Sequence, residues 1–197
     1  VDGNPNKLSS VRSRLDEFTM SVAGGTIKGT GEIVGLNQPR KIAFNFNADR
    51  LDLDRILGDK KSDGDSDSDG KSAGSSGATT PRWIKQLDLN GRLQIDSGKY
   101  KGAAVRDFLL EVTMLDGKLL LKSLRGQALG GNVSASGSTI DFGPSRPRFN
   151  LRAKLDRIDI GDVLALRGGE TAKKVSGRGT MDLSADGSGL SWADIAP

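Results

Sequence analysis

Four aspartates stand where paired carboxylates could pass protons between them: Asp52 with Asp54, and Asp159 with Asp162. General acid–base catalysis needs such groups in a cleft with their pKa values pushed apart. Each pair, however, follows a strand-like run and precedes a short Ile/Leu/Val cluster, which is where a helix N-cap belongs. Capping accounts for all four. The run Asp65-Ser-Asp67-Ser-Asp69-Gly70 has the first three ligand positions and the glycine of a calcium-binding loop. Its twelfth position is Ser76, where a bidentate Glu is required, and no flanking helices are evident. No metal site is expected there. With no cysteine and no histidine in 197 residues, a disulfide, a thiolate nucleophile, a Cys/His zinc site and a His-based triad are all excluded. Ser-x-x-Lys has no supportive setting, and Tyr100 is the only tyrosine. We therefore expect neither an enzyme nor a cofactor.

The remaining polar candidates have ordinary explanations. Asn132-Val133-Ser134 is formally a glycosylation sequon. Trp83 and Trp192 suit a lipid-headgroup level, but the packing of a short helix or a terminal strand explains them more readily. Arg146 and Arg148 flank Pro147 and can touch a phosphate or simply hold a loop in solvent.

The elements that must position these residues show a period of two almost throughout. Phe18-Thr-Met20-Ser-Val22, Ile42-Ala-Phe44-Asn-Phe46, Leu87-Asp-Leu89 and Leu93-Gln-Ile95 alternate. So do Phe108-Leu-Leu110-Glu-Val112-Thr-Met114, Lys118-Leu-Leu-Leu121 and Phe149-Asn-Leu151-Arg-Ala153-Lys-Leu155. Strands with one apolar and one polar face give this pattern. Turn signals separate them: Ala23-Gly24-Gly25, Asp96-Ser97-Gly98-Lys99, Asp116-Gly117, Gly130-Gly131-Asn132 and Asp141-Phe142-Gly143-Pro144. Asp116-Gly117 is the clearest hairpin, because a type I′ turn needs positive φ at both centres. Short helices are expected at Asp52–Leu57, at Asp159–Leu166 and near Pro81, the last with Trp83 and Ile84 on its apolar side. The fold class is mainly β: an antiparallel, strongly twisted and curled open sheet with small helical plugs.

Composition fits that reading. Glycine supplies 27 residues and aromatics only 5%, against a usual glycine share of roughly 7%. Large core-filling side chains are scarce, and glycines within strands permit the coiling that a curled sheet requires. The net charge is +4. Residues 58–80 carry five Asp and three Lys, which leaves 26 basic against 20 acidic residues elsewhere. That mild excess is either a solubilising balance or an affinity for anionic surfaces. Basic clusters interleaved with stacking aromatics are missing, so no nucleic-acid partner is expected. Residues 58–80 hold no large apolar side chain and read as a solvated surface loop.

An internal repeat organises the chain. Gly24-Gly25-Thr-Ile27-Lys-Gly-Thr-Gly31 is similar to Gly130-Gly131-Asn-Val133-Ser-Ala-Ser-Gly137 at an offset of 106. Asp49-Arg50-Leu51-Asp52-Leu53-Asp54-Arg55-Ile56-Leu57 is similar to Asp156-Arg157-Ile158-Asp159-Ile160-Gly161-Asp162-Val163-Leu164 at an offset of 107. We divide one continuous β domain into a first repeat (1–57), the acidic loop (58–80), a second repeat (81–170) and the start of further sheet (171–197). Repeats of this kind lengthen a sheet in one direction.

The order of motifs in the second repeat resembles the AsmA family of bacterial envelope proteins, in its C-terminal repeated region. The matching motifs are Leu89-Asn90-Gly91-Arg92-Leu93-Gln94-Ile95, Gly98 to Val105 with Phe108, Leu115-Asp116-Gly117-Lys118-Leu119 and Leu129-Gly130-Gly131. They continue with Phe149-Asn150-Leu151, Ile158-Asp159-Ile160, Val163-Leu164, Val175-Ser176-Gly177-Arg178-Gly179 and Gly187-Ser188-Gly189. The resemblance implies a periplasmic segment of a longer protein anchored in the inner membrane. It implies a β-groove, similar to that of bridge-like lipid transfer proteins, in which phospholipid acyl chains move between inner and outer membranes. The family's usual N-terminal membrane helix is not found in this sequence. The expected groove lining is Phe44, Phe46, Leu93, Ile95, Phe108, Leu110, Val112, Leu119, Leu121, Leu151 and Leu155, residues that would otherwise pack as a closed core. The implied partners are phospholipids, the membrane through an anchor outside this sequence, and envelope proteins at the open sheet edges. The alternative role is a structural module offering a sheet edge during outer-membrane protein assembly.

Overall fold

Asp116 and Gly117 both adopt positive φ, 51° and 72°, as the type I′ turn requires. They join β5 (Ala103–Leu115) to β6 (Lys118–Ala128) as an antiparallel pair. The computed structural model describes residues 11–22, 24–35, 39–57, 82–100, 102–166 and 175–189. The expected calcium-like run, the acidic loop and Trp192 lie outside these residues.

Three strands precede that hairpin's unit: β1 (Arg12–Val22), β2 (Gly25–Val34) and β3 (Lys41–Asp52). After β3 come α1 (Leu53–Leu57), then α2 (Arg82–Lys85) and β4 (Asp88–Tyr100). Beyond β6 the chain forms β7 (Gly131–Ala135), β8 (Ser138–Asp141), β9 (Arg148–Asp159), α3 (Ile160–Leu166) and β10 (Arg178–Ser188). All ten strands join one sheet in the order β1-β2-β3-β4-β5-β6-β7-β9-β10, with β8 lying beside β7 between β6 and β9. The chain is mainly β. Among the described residues β1 and β10 are the two edges.

Two expectations are corrected. The sheet is not wholly antiparallel: β3 and β4 run parallel, from Lys41 opposite Asp88 to Asp52 opposite Lys99. Alternation sets a strand's faces but not its direction. Residues 53–87 form a connection long enough to carry the chain back to the starting end of β3, as a parallel crossover must. The signal Asp96-Ser97-Gly98-Lys99 is not a turn. The strand β4 passes straight through it, with Gly98 paired to both Leu51 and Val105. A Cβ there would come within 2.9 Å of the Leu51 carbonyl, so the glycine serves close strand approach, and the reversal falls at Gly102 (φ 81°).

The split between β7 and β8 is closed by a side chain. Ser138, 4% exposed, accepts a hydrogen bond from the Arg152 N–H at 2.8 Å and donates one to the Arg152 carbonyl at 3.1 Å. One hydroxyl thus satisfies both backbone groups that the ladder leaves open on β9.

Substantial contacts between elements join neighbouring strands, or set α1 against β4 and α3 against β9. Among the described residues no second sheet packs face to face on this one. The core is correspondingly small: Ala48, Leu51 and Ile95 are buried together, ringed by Val22, Ile27, Leu53, Leu93 and Phe108. No helix among the described residues is long and apolar enough to cross a membrane.

Candidate functional site

Residues opposite one another across paired strands project to the same face of a sheet. The register therefore decides where each expected lining residue lies. One row runs Gly31–Phe44–Gly91–Val112–Leu121–Ser138 from β2 to β8. The next runs Phe18–Gly29–Phe46–Leu93–Leu110–Leu124–Ala135. A third runs Ile33–Ile42–Leu89–Met114–Leu119–Ile140–Phe149–Gly187. Ile95 and Phe108 pair beside Ala48, and Leu155 pairs with both Val133 and Met181. Leu151 stands two residues from Phe149 and faces Ala185. All eleven residues share one face.

Ten of the eleven are half-buried, and Ile95 alone is closed off at 2% exposure. Phe18, Ile42, Leu89, Met114, Leu124, Phe149, Met181 and Leu183 share this face without having been singled out. The alternation of Phe18, Ile42, Leu89, Met114 and Phe149 was visible in the sequence, but the register that aligns them was not, and Leu124 joins the face only through the β5–β6 bulge.

The glycine surplus has a local explanation here. Phenyl rings lie across glycines of adjoining strands: Phe46 over Gly29, Phe44 over Gly91, Phe108 over Gly126 and Phe149 over Gly187. A Cβ at Gly91 would overlap the Phe44 ring, and one at Gly187 would meet Phe149 at 2.9 Å. Rings laid flat in this way cover backbone that glycine leaves bare. Phe46 also stacks on Phe44 with centroids 5.0 Å apart and meets Phe18 edge-on at 5.2 Å. Such pairs each add about 0.5–1.5 kcal/mol beyond burial.

The opposite face is polar. On it Glu32 is bridged by Lys41 at 2.9 Å and Arg12 at 3.4 Å, and Arg92 meets Glu111 at 3.1 Å. The Lys41 hydrogen bond holds the Glu32 carboxyl below its ordinary value. The Thr26 N–H, donating to Asp49 Oδ1 at 2.7 Å, does the same for Asp49. Leu109 and Leu120 also fall on this face. Bulges at Arg106/Leu109 and Glu111/Val112 set their phase.

The aspartates at the strand-to-helix junctions lie at helix starts, where capping is expected. Asp52 Oδ1 accepts the Arg55 N–H at 3.2 Å, while Asp159 Oδ1 accepts those of Gly161 at 2.8 Å and Asp162 at 3.3 Å. These are N-cap contacts. Trp83 and Ile84 sit half-buried on α2, whose Lys85 ammonium donates to the Gly143 carbonyl at 2.8 Å. Arg146 is exposed in the loop before β9, and Arg148 opens that strand opposite Asp141.

No protein-family model and no solved structure matches the chain. It is 25% identical to Protein AsmA of Escherichia coli (strain K12) over an alignment of 201 residues, which covers 95% of this chain and 31% of AsmA. The chain thus spans about a third of the length of that relative. Along nearly its whole length, the chain is similar in sequence to part of AsmA.

Proposed function

We propose that this chain is a periplasmic segment of an AsmA-like bacterial envelope protein, attached to the inner membrane. Its apolar face, curled into a groove by two repeats of the sheet, binds phospholipid acyl chains for passage between inner and outer membranes. The reading rests on one observation: the apolar face is continuous across the sheet, and among the described residues no second sheet covers it, only the short helices α1 and α3 touching its ends. The row from Ile33 to Gly187 crosses eight strands. At about 4.8 Å per strand that is roughly 34 Å, close to the ~30 Å hydrocarbon thickness of a bilayer. Such a surface accommodates acyl chains end to end. Burial contributes about 0.8 kcal/mol per CH₂ and is spread over many equivalent positions, which suits sliding better than fixed binding. No bond is made or broken in this role. The similar junctions at Asp52 and Asp159 support the two-repeat reading.

Native mass spectrometry of gently purified protein should show co-purified phospholipid, and added fluorescent lipid should be taken up. Neighbouring leucines on β6 provide the decisive pair: Leu121 faces the apolar side and Leu120 the polar side. Leu121→Asp should abolish uptake while Leu120→Asp preserves it, with circular dichroism confirming that both fold. Lipid-free protein that takes up nothing, or equal loss in both variants, would overturn the proposal.

The open edges favour a second reading, an assembly module for outer-membrane proteins. Strands β1 and β10 each span 11 residues and are paired on one side only among the described residues. Unpaired edges of that length are templates for a partner's strand. Recovery of barrel proteins by pull-down, with no lipid detected, would select it.

A further inference from the structure

The polar face is not uniform. Around the β6–β7 hairpin, three arginines from three strands line one depression of about 400 Å³: Arg106, Arg157 and Arg178. The side chains of Gln127 and Asn132, opposite one another in register, line it too. Arg106 and Gln127 are themselves partners, so these groups stand in one cross-strand row.

Carboxylates stand beside it, Asp156 opposite Asn132 and Asp159 opposite Arg178, yet two of the three guanidinium groups are unpaired among the described residues. Arg157 reaches Asp156 at 3.5 Å, and that carboxylate also accepts a hydrogen bond from the Thr180 hydroxyl at 3.0 Å. Neither the Arg106 nor the Arg178 guanidinium has an ion-pair or hydrogen-bond partner among the described residues. Elsewhere on the same face Glu32 and Glu111 are each matched by cations. Arg157 is further constrained by its backbone, which has φ of 52°. Non-glycine residues seldom adopt this conformation, and it falls at the bulge where Asp156 and Arg157 of β9 stand against Thr180 alone.

We propose that Arg106, Arg157 and Arg178 form a binding site for a phosphate-bearing anion, with Gln127 and Asn132 as neutral donors. A carboxylate is satisfied by one bidentate guanidinium. A phosphate carries more acceptor oxygens and accepts from several at once. The site lies on the face opposite the acyl-binding surface and stands without it. The same chemistry is offered by a lipid headgroup or by free phosphate.

The test uses two probes on the intact chain. Flotation with vesicles containing phosphatidylglycerol reads the headgroup source, and titration with inorganic phosphate, followed through the Gly130 and Gly131 amide NMR signals, reads the free anion. The double variant Arg106→Gln/Arg178→Gln is compared with Arg148→Gln/Arg152→Gln, which removes equal charge from the same face. Each lost charge-assisted contact is worth a factor of about 10 or more, so affinity should fall on the order of 100-fold in the first variant and little in the second. Binding of vesicles alone assigns a headgroup, and binding of inorganic phosphate assigns a free anion. Failure of wild-type protein to bind either probe, or equal losses in the two variants, would overturn the site.

Discussion

Strands β3 and β9 both end in an aspartate that caps a short helix, yet they furnish the apolar face differently. Six residues before Asp52 stands Phe46, and six before Asp159 stands Ala153. Around β3, Phe18, Phe44 and Phe46 interlock, and the polar side has its charges matched by Glu32. Around β9, alanines and the exposed Met181 and Leu183 (46% and 44%) occupy the apolar side, and on the polar side Arg157 is paired with Asp156 while Arg178 has no ion-pair partner among the described residues. The β1–β3 end is committed to internal cohesion. The β7–β10 end leaves both apolar and cationic surface unspent.

Substitution should expose that difference most sharply at the aromatic plate. Phe46→Ala removes both ring contacts and should cost about 3 kcal/mol, whereas Leu183→Ala at the exposed edge should stay within about 0.5 kcal/mol. Urea denaturation of the two variants measures the gap; equal losses would erase the distinction between the ends. The β7–β10 end has its own weak point at Ser138. Ser138→Ala strands the Arg152 N–H and carbonyl and should cost about 1–3 kcal/mol, with faster hydrogen exchange at Arg152 while the amides of β2 and β3 keep their protection.

The smallest effect is electrostatic. Glu32 and Asp49, both at the β1–β3 end, have lowered pKa values, so the folded state favours their ionised forms. Their stabilisation is present above the ordinary values of 4.5 and 3.8 and is lost as pH falls below them. Acid titration followed by amide exchange should loosen β1–β3 before β7–β10, and Glu32→Gln should flatten that response.

Much of this molecule was legible in its sequence, for identifiable reasons. Asp116-Gly117 could be read because a local constraint, positive φ at two successive residues, selects the residue types. The helices after Asp52 and Asp159 could be read because capping is also local. The parallel β3–β4 pair could not, since strand direction depends on a connection with no periodic signal of its own. Gly98 misled because glycine beside a polar pair suits either a turn or a tight strand contact, and only the approach of Leu51 decides. The apolar face followed from alternation, but phenyl rings lying on glycines of another strand depend on register. The arginine depression is further from view, because its three residues lie on strands widely separated in sequence.

The confinement of contacts to neighbouring strands has a mechanical consequence. A globule shares its stability through a common core, so damage anywhere is felt throughout. Here cohesion is passed from strand to strand like the links of a chain, approximately as a sum of nearest-neighbour terms. The sheet can gain or lose links at its edges without rebuilding the middle, and it can flex along its length with little cost to any single link. A wall of that kind can be made as long as the gap it spans.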